Sequence, residues 1–202
     1  MKKIYLLTII SLLIISCEKE SGPTKINGSV KDKTTNAGIE NADVGLFESD
    51  GESSWGLGGV LIDEIYSDAS GNFTFDFEAR KGYSYYVQAI KDLYWNNQTD
   101  NIAFVDNTGG ETDVTVFLQP KGFLEIRVHN INEYDVSDYI VVNDLYAAFY
   151  GTSVDTTEIV TVIGNENQTI TWFISIDGIL SNAIHGEIYC PAFDTTYFEI
   201  LY

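Results

Sequence analysis

Hydrophobic and polar side chains alternate along most of this chain, and that period of two is the feature that most limits its fold. Between residues 72 and 77, Phe73, Phe75 and Phe77 occupy every second position and polar residues lie between them. Successive side chains of a β-strand point to opposite faces of the sheet, so the three rings share one face. No comparable stretch after residue 25 shows the 3.6-residue period of an amphipathic helix. The pattern predicts an all-β protein.

The alternation divides the first half of the chain into seven short strands. They are predicted at Lys25–Lys31, Ala42–Leu46, Val60–Tyr66, Asn72–Phe77, Tyr83–Ala89, Ile102–Val105 and Val114–Leu118. Asp68 and Gly71 bracket a tight turn, because aspartate hydrogen-bonds to nearby backbone and glycine tolerates a positive φ. Seven short strands at this spacing predict a β-sandwich.

Five segments of this half resemble the carboxypeptidase regulatory-like family, whose domains are transthyretin-like sandwiches. They are INGSVKD at 26–32, IENADVGLF at 39–47, SDASGNFTF at 67–75, YSYYVQA at 83–89 and VFLQP at 116–120. The sequence departs from the family at Ile39-Glu40, where a proline-led turn is frequent. The resemblance implies an accessory surface domain over residues 25–120 and no reaction of its own.

Residues 121–202 repeat the alternation without resembling a family. Seven further strands are predicted at Leu124–Val128, Tyr139–Val142, Leu145–Tyr150, Glu158–Ile163, Gln168–Ile176, Ile184–Cys190 and Tyr197–Tyr202. On one of them, Ile170, Trp172, Ile174 and Ile176 form an apolar stripe that predicts the centre of a second core. We therefore expect two consecutive Ig-like or transthyretin-like β-sandwiches, with a boundary near residues 120–122.

The N-terminus carries a targeting signal. Lys2 and Lys3 precede an apolar run over residues 4–15, which is too short to cross a bilayer, since that takes about 20 apolar residues. A short apolar run behind positive charge is typical of a signal peptide. Ser16 followed by Cys17 resembles the lipobox of bacterial lipoproteins, in which the cysteine is acylated and becomes the mature N-terminus.

The lipobox resemblance implies a signal peptide over residues 1–16, lipidation of Cys17 and a polar tether over 17–24. An ordinary secreted protein is the alternative, but Ile14 and Ser16 do not form the pair of small residues that its cleavage needs. Acidic residues after the cysteine, as in Glu18-Lys19-Glu20, weakly resemble an outer-membrane export signal. The expected location is the cell envelope, at the outer membrane.

The net negative charge of the chain limits the classes of partner that it can bind. The chain has 30 acidic and 11 basic residues for a formal net charge of −19, and neither Lys nor Arg follows Arg127. Such a surface repels phosphate backbones, which argues against nucleic acid as a partner. Anionic headgroups are repelled as well, so the membrane is expected to be contacted through the lipid on Cys17. Solubility alone is a sufficient alternative explanation of the charge.

Residue types that carry chemistry do not combine into a motif. His129 and His185 lie on different predicted strands and lack the spacing of a zinc site. His185 and Cys190, five residues apart on one strand, face opposite ways and cannot form a thiol–imidazole pair within it. We expect a buried thiol at Cys190, and a protein without enzymatic activity, cofactor or resident metal. Acidic turns at 50–52 and 135–138 leave calcium open, but neither matches an EF-hand loop and solvated turns are the preferred explanation.

Aromatic residues in loops are the remaining signal of a ligand. Trp55 lies in a glycine-rich loop, and Tyr94 and Trp95 precede the amides of residues 96–98. Flat rings beside amides suit a sugar, although each ring can instead fold back over the end of its sandwich. If successive strands reverse direction, Trp55 lies at the opposite end from Tyr94 and Trp95. A single site cannot then use all three rings. Tyr94 and Trp95 are the predicted ligand-binding pair, because the amides of residues 96–98 follow them directly.

These features predict a non-enzymatic, lipid-anchored cell-envelope protein that acts as a structural or adhesive surface module. The alternative is a carbohydrate-binding accessory lipoprotein of a polysaccharide-uptake system. Its expected partners are the membrane, through the lipid, and other envelope proteins or glycans.

Overall fold

The computed structural model describes residues 21–50, 58–96, 101–132 and 135–202. The predicted signal peptide, Cys17 and Trp55 lie outside the described residues. The described chain is all-β, as predicted, and its strands are joined by turns and one short 3₁₀ segment. Within these ranges, no helix has the length and apolar character that a membrane span requires.

The strands of the first half match the predicted ones in number and order. They are β1 (Gly22–Asp32), β2 (Asp43–Ser49), β3 (Val60–Tyr66), β4 (Asn72–Ala79), β5 (Ser84–Ile90), β6 (Ile102–Val105) and β7 (Glu111–Leu118). β1 begins at Gly22, three residues before the predicted start, inside the segment expected to be tether. The reason is that Thr24 is buried and its hydroxyl accepts a 2.8 Å hydrogen bond from the N–H of Gly109.

These strands form two sheets, ordered β4-β1-β7 and β3-β2-β5-β6. β1 pairs antiparallel with β4, with Ile26 opposite Phe75. Phe77 and Tyr85, one from each sheet, bring their ring centroids to 4.8 Å, so the sheets face each other as a sandwich. Buried apolar residues of both sheets fill the space between them: Ile26, Val30, Val44, Leu46, Phe73, Phe75, Tyr85, Val87, Val114 and Val116.

The predicted turn before β4 is confirmed. The Asp68 carboxylate accepts hydrogen bonds from the N–H groups of Ser70 and Asn72, each at 2.8 Å. Gly71 has a φ of 82°, and a Cβ there would lie 2.7 Å from the backbone nitrogen of Ile39. Only glycine meets both conditions, so the turn aligns β4 with β1 in the register that puts the phenylalanines inward.

The second half contains one strand more than predicted. The strands are β8 (Lys121–His129), β9 (Tyr139–Val142), β10 (Ala147–Tyr150), β11 (Asp155–Ile163), β12 (Glu166–Ile176), β13 (Ile179–Leu180), β14 (Ile184–Cys190) and β15 (Thr195–Leu201). The unexpected β13 pairs with the end of β12, because Asp177 and Gly178 both take the positive φ that a tight hairpin needs. Leu145, predicted to start a strand, instead ends a 3₁₀ turn over Asn143–Leu145.

Two further sheets form a second sandwich. One is ordered β11-β8-β15, in which β15 runs parallel to β8; the other is β10-β9-β12, with β13 and β14 both paired to β12. Buried residues of both sheets form one core: Leu124, Ile126, Val128, Ile140, Val142, Ile170, Cys190, Ile200 and Tyr202.

The stripe predicted as the centre of this core is only partly buried. Ile170 is fully buried, Trp172 and Ile174 are half-buried, and Ile176 is exposed. Ser175 is the buried residue near that end of β12. Strand twist accumulates along a strand of 11 residues, so a single face cannot point into the core over its whole length.

Contacts divide the chain into two compact units. The first unit comprises the chain through Lys31 together with Gly38–Ala89 and Asn101–Val116. The second unit comprises Asp32–Ala37, Ile90–Asp100 and Phe117–Tyr202. Two connecting segments of the predicted first domain therefore group with the second unit. One of them carries Tyr94 and Trp95.

Candidate functional site

Tyr94 and Trp95, the predicted ligand-binding residues, are held within the second unit. The Tyr94 hydroxyl donates a 3.2 Å hydrogen bond to Asp32, and its ring meets the Phe193 ring edge-on at 5.2 Å between centroids. The Trp95 backbone N–H donates to the Gln119 carbonyl at 2.8 Å. Both residues are half-buried, so each presents only part of its ring to solvent.

Asp32 anchors the Tyr94 hydroxyl. Its carboxylate also accepts hydrogen bonds from the Thr34 N–H and hydroxyl, at 2.8 and 2.7 Å, and from the Thr35 N–H at 2.9 Å. Burial opposes ionisation, but the hydrogen bonds outweigh it and lower the pKa of Asp32. Burial and the nearby Asp32 carboxylate raise the pKa of Tyr94 well above its usual value. The phenol therefore remains a proton donor at neutral pH.

Two buried polar groups at this segment are not hydrogen-bonded to any described residue. Nε1 of Trp95 and Nε2 of Gln119 are buried donors that have no partner among the described residues. Asn96 is exposed, and Asn97 and Gln98 lie outside the described residues. The four strands expected between residues 42 and 90 are all present, so the strand count behind the choice of this pair holds. Ligand binding by Tyr94 and Trp95 stays a prediction.

The histidines and the cysteine lie apart in the second unit. His129 is 4.0 Å from the Glu199 carboxylate, and His185 shares a 3.0 Å hydrogen bond with the Thr171 hydroxyl. Cys190 is a free and fully buried thiol, as predicted, and burial raises its pKa. A thiol that stays protonated is a poor nucleophile, so Cys190 acts as a core residue.

Three carboxylates meet near the 135–138 turn. One oxygen each of Asp135, Asp138 and Asp177 lies within 4.8 Å of the others. Asp138 is buried and accepts hydrogen bonds from the N–H groups of Asp135 at 3.0 Å and Asp177 at 2.9 Å. Hydrogen bonds from Ser137 lower the pKa of Asp135. These backbone donors account for the arrangement, and we assign no ion to it.

An ion pair inside the first unit was missed by sequence reasoning. Glu48 is 8% exposed, and its carboxylate accepts hydrogen bonds from Arg80 Nε at 2.7 Å and from the Tyr85 hydroxyl at 2.6 Å. The Arg80 backbone N–H donates to that same hydroxyl at 2.7 Å. The sequence did contain a signal for it. Val44, Leu46 and Glu48 occupy every second position of one strand, so Glu48 falls on the face that Val44 and Leu46 turn to the core. Because the buried charge is fully partnered, its role is structural.

A cleft of about 550 Å³ lies in the second unit. Six aliphatic residues and six polar ones line it: Leu124, Val141, Val142, Val160, Val162, Ile170, Asn143, Asp144, Tyr146, Thr161, Gln168 and Thr169. They come from β8, β9, β11, β12 and the 3₁₀ turn with its following residue. No local sequence pattern joins elements so far apart, which is why the cleft was not predicted.

Comparisons with known proteins do not assign a family. No family model and no curated protein matches the chain. The Bacillus anthracis TIE protein is 12% identical at a TM-score of 0.41, and the match covers 89% of this chain but 34% of that one. The minor pilin of Streptococcus agalactiae is 9% identical at a TM-score of 0.40, covering 88% and 94%. A streptococcal ancillary pilin is 15% identical at 0.40, covering 89% and 62%. The carboxypeptidase regulatory-like resemblance stays a prediction.

Proposed function

We propose that this chain is a non-enzymatic, lipid-anchored protein of the outer membrane that acts as a structural or adhesive surface module. The observation that carries the proposal is the short spacing between the lipobox and the fold. Cys17 precedes Gly22, the first residue of β1, by five positions. Five residues span at most about 18 Å, so a lipid on Cys17 holds the first strand close to the membrane.

Charge and core structure fit such a module. The excess of acidic over basic residues keeps the folded body off anionic headgroups while the lipid keeps it near them. Each unit has its own buried core. Two units that each have a buried core suit a mechanical or contact role at a surface.

Fractionation of a Gram-negative host that expresses the full chain tests the anchor. We expect the wild-type protein in the outer-membrane fraction, and the Cys17→Ala variant in the soluble fraction or uncleaved. Cys190→Ala is the matched control, because it removes the other cysteine and should leave the fractionation unchanged. A Cys17→Ala protein that is still cleaved and still membrane-bound contradicts the proposal. Failure of antibodies to label intact cells contradicts surface exposure.

The alternative function, a carbohydrate-binding accessory lipoprotein, is supported by the partly exposed aromatic residues Tyr94 and Trp95, which are adjacent in the chain. The exposed part of an aromatic ring can stack on the C–H face of a sugar. A glycan array tests this alternative with the Tyr94→Ala, Trp95→Ala double variant. Loss of wild-type binding supports it, and unchanged binding contradicts it.

A further inference from the structure

We propose that the cleft of the second unit binds a neutral sugar residue. The inference goes beyond the proposed function, since a lipid anchor and a structural body need no small ligand. It also uses residues other than Tyr94 and Trp95. Its volume of about 550 Å³ falls within the roughly 300–1,000 Å³ that small-molecule sites occupy.

The floor of the cleft is apolar. Leu124, Val142 and Ile170 line it, and each is at most 1% exposed. Val160 and Val162 of β11 are half-buried and add aliphatic surface. A sugar ring has C–H faces that bury favourably against such surface, while its hydroxyls need polar partners around the edge.

Polar side chains in the lining supply those partners. Asn143, Thr161 and Thr169 are exposed, and their side chains make no hydrogen bond with any described residue. Amides and hydroxyls both donate and accept, as the hydroxyls of a sugar do. Asp144 is held in place, because its carboxylate accepts the Thr171 N–H at 2.9 Å.

Tyr146 gives the cleft an aromatic surface. It directly follows the 3₁₀ turn, with φ 51° and ψ 34°, and its N–H donates to the Asn143 carbonyl at 2.9 Å. The residue is 98% exposed. Tyrosine seldom adopts the left-handed conformation, and strained residues of this kind concentrate at functional sites. An open ring beside a cleft offers a flat surface for stacking on a sugar.

The chemistry of the lining selects against other ligands. It contains a carboxylate at Asp144 and no basic residue, and neither Lys nor Arg follows Arg127 in the sequence. Phosphates, sulfates and uronic acids are therefore repelled. A lipid chain favours a lining that is almost wholly apolar, whereas half of these residues are polar. A neutral, hydroxyl-rich ligand matches both properties.

The test uses the mature full chain on an array that holds neutral and acidic oligosaccharides, followed by calorimetry with the best neutral binder. Tyr146→Asn removes the ring and keeps a residue that tolerates the left-handed conformation, so we expect binding about tenfold weaker. Thr169→Val removes one hydroxyl from an exposed position and should weaken binding about threefold. Tyr189→Asn, which changes a 52% exposed tyrosine of the same unit outside the lining, should change nothing.

Several results overturn the inference. They are the absence of any neutral binder on the array, a preference for acidic oligosaccharides, and an affinity unchanged by both Tyr146→Asn and Thr169→Val. The inference is also wrong if the Tyr94→Ala, Trp95→Ala variant loses binding while Tyr146→Asn binds fully. That result would place the binding site at Tyr94 and Trp95 and not in the cleft. The outcome is independent of the membrane anchor, because binding is measured on purified protein whether or not Cys17 carries lipid.

Discussion

The two units have cores of different kinds, although both arise from the same alternation of side chains. The first buries several rings among its aliphatic residues: Phe73, Phe75 and Tyr85 are at most 5% exposed. In the second, Tyr202 is the one ring that the described residues place in the buried cluster, and Trp172 and Phe198 are only partly buried. A period of two decides which side chains share a face of a strand, but their size and placement decide whether the space between the sheets is filled. In the second unit part of that space is left open as a cleft.

Each unit also packs a ring against a glycine. In the first, Gly28 of β1 lies directly opposite Phe73 of β4, and a Cβ at Gly28 would overlap the ring. In the second, a Cβ at Gly186 would overlap the ring of Phe198 in the same way. Phe73 is 5% exposed whereas Phe198 is half-buried, so the first ring has less room to move.

The largest effect is expected from emptying the aromatic core. Phe75→Ala should lower the free energy of unfolding of the first unit by about 3–5 kcal/mol, because it removes a 2% exposed ring and leaves a cavity. Urea unfolding, monitored by far-ultraviolet circular dichroism, measures this change in the free energy of unfolding. Phe104→Ala, at a ring that is 60% exposed, is the control and should cost below about 1 kcal/mol. Equal midpoints for Phe75→Ala and wild type would show that the ring does not carry the core.

The two glycine–ring contacts give the next largest effects. Gly28→Ala should cost about 1–3 kcal/mol of unfolding free energy, because the methyl group overpacks a buried ring. Gly186→Ala should cost less, because Phe198 can shift toward solvent. Gly110→Ala serves as control, since a Cβ there meets no atom within 4 Å. If Gly186→Ala is the more damaging change, the contrast drawn between the two cores is wrong.

Acid should weaken the second unit through Asp32. Its folded pKa lies below the ordinary value, so it contributes stability above the unfolded pKa of about 4, which is lost as the pH falls through the folded pKa. Asp32→Asn should therefore cost about 1–2 kcal/mol at pH 7, and less as the pH falls through the folded pKa of Asp32. Thermal unfolding across this range measures the effect, with the exposed Asp92→Asn as control. A cost for Asp32→Asn that is independent of pH would contradict the role of its charge.

The smallest effect is expected at Tyr94. Tyr94→Phe deletes the hydroxyl that donates to Asp32 and keeps the ring against Phe193, so it should cost about 0.5–1.5 kcal/mol. In the Asp32→Asn background the same change should cost less, because the two groups share one hydrogen bond. Additive costs in calorimetric unfolding would show that the hydrogen bond contributes nothing to the second unit.

Strands were predictable because alternation is a local property. β3, β6, β9 and β14 have the predicted bounds. Burial was less predictable: the alternation of a strand suggests one buried face, yet all seven residues of β3 are exposed. β3 is the edge of a four-stranded sheet whose facing sheet has three strands. Whether an edge strand is covered depends on the opposite sheet, which its own sequence does not specify.

Sites were less predictable than strands, because they combine residues that are distant in sequence. Phe193 covers part of the Tyr94 ring from 99 positions away, and Asp177 joins Asp138 from 39 positions away. The amides after Tyr94 suggested a ligand, but they carry no information about such neighbours. The lining of the cleft runs from Leu124 to Ile170 and contains no motif. In each case the sequence showed which types of side chain were present, but it did not show which of them lie close together in the fold.

Intact mass spectrometry of the mature protein, purified from the membrane of an expressing cell, tests directly whether Cys17 carries the lipid anchor. We expect a chain that begins at Cys17 and carries the added mass of a diacylglyceryl group. A chain that begins elsewhere, or one that begins at Cys17 with an unmodified thiol, would contradict the lipid anchor and with it the proposed placement at the membrane.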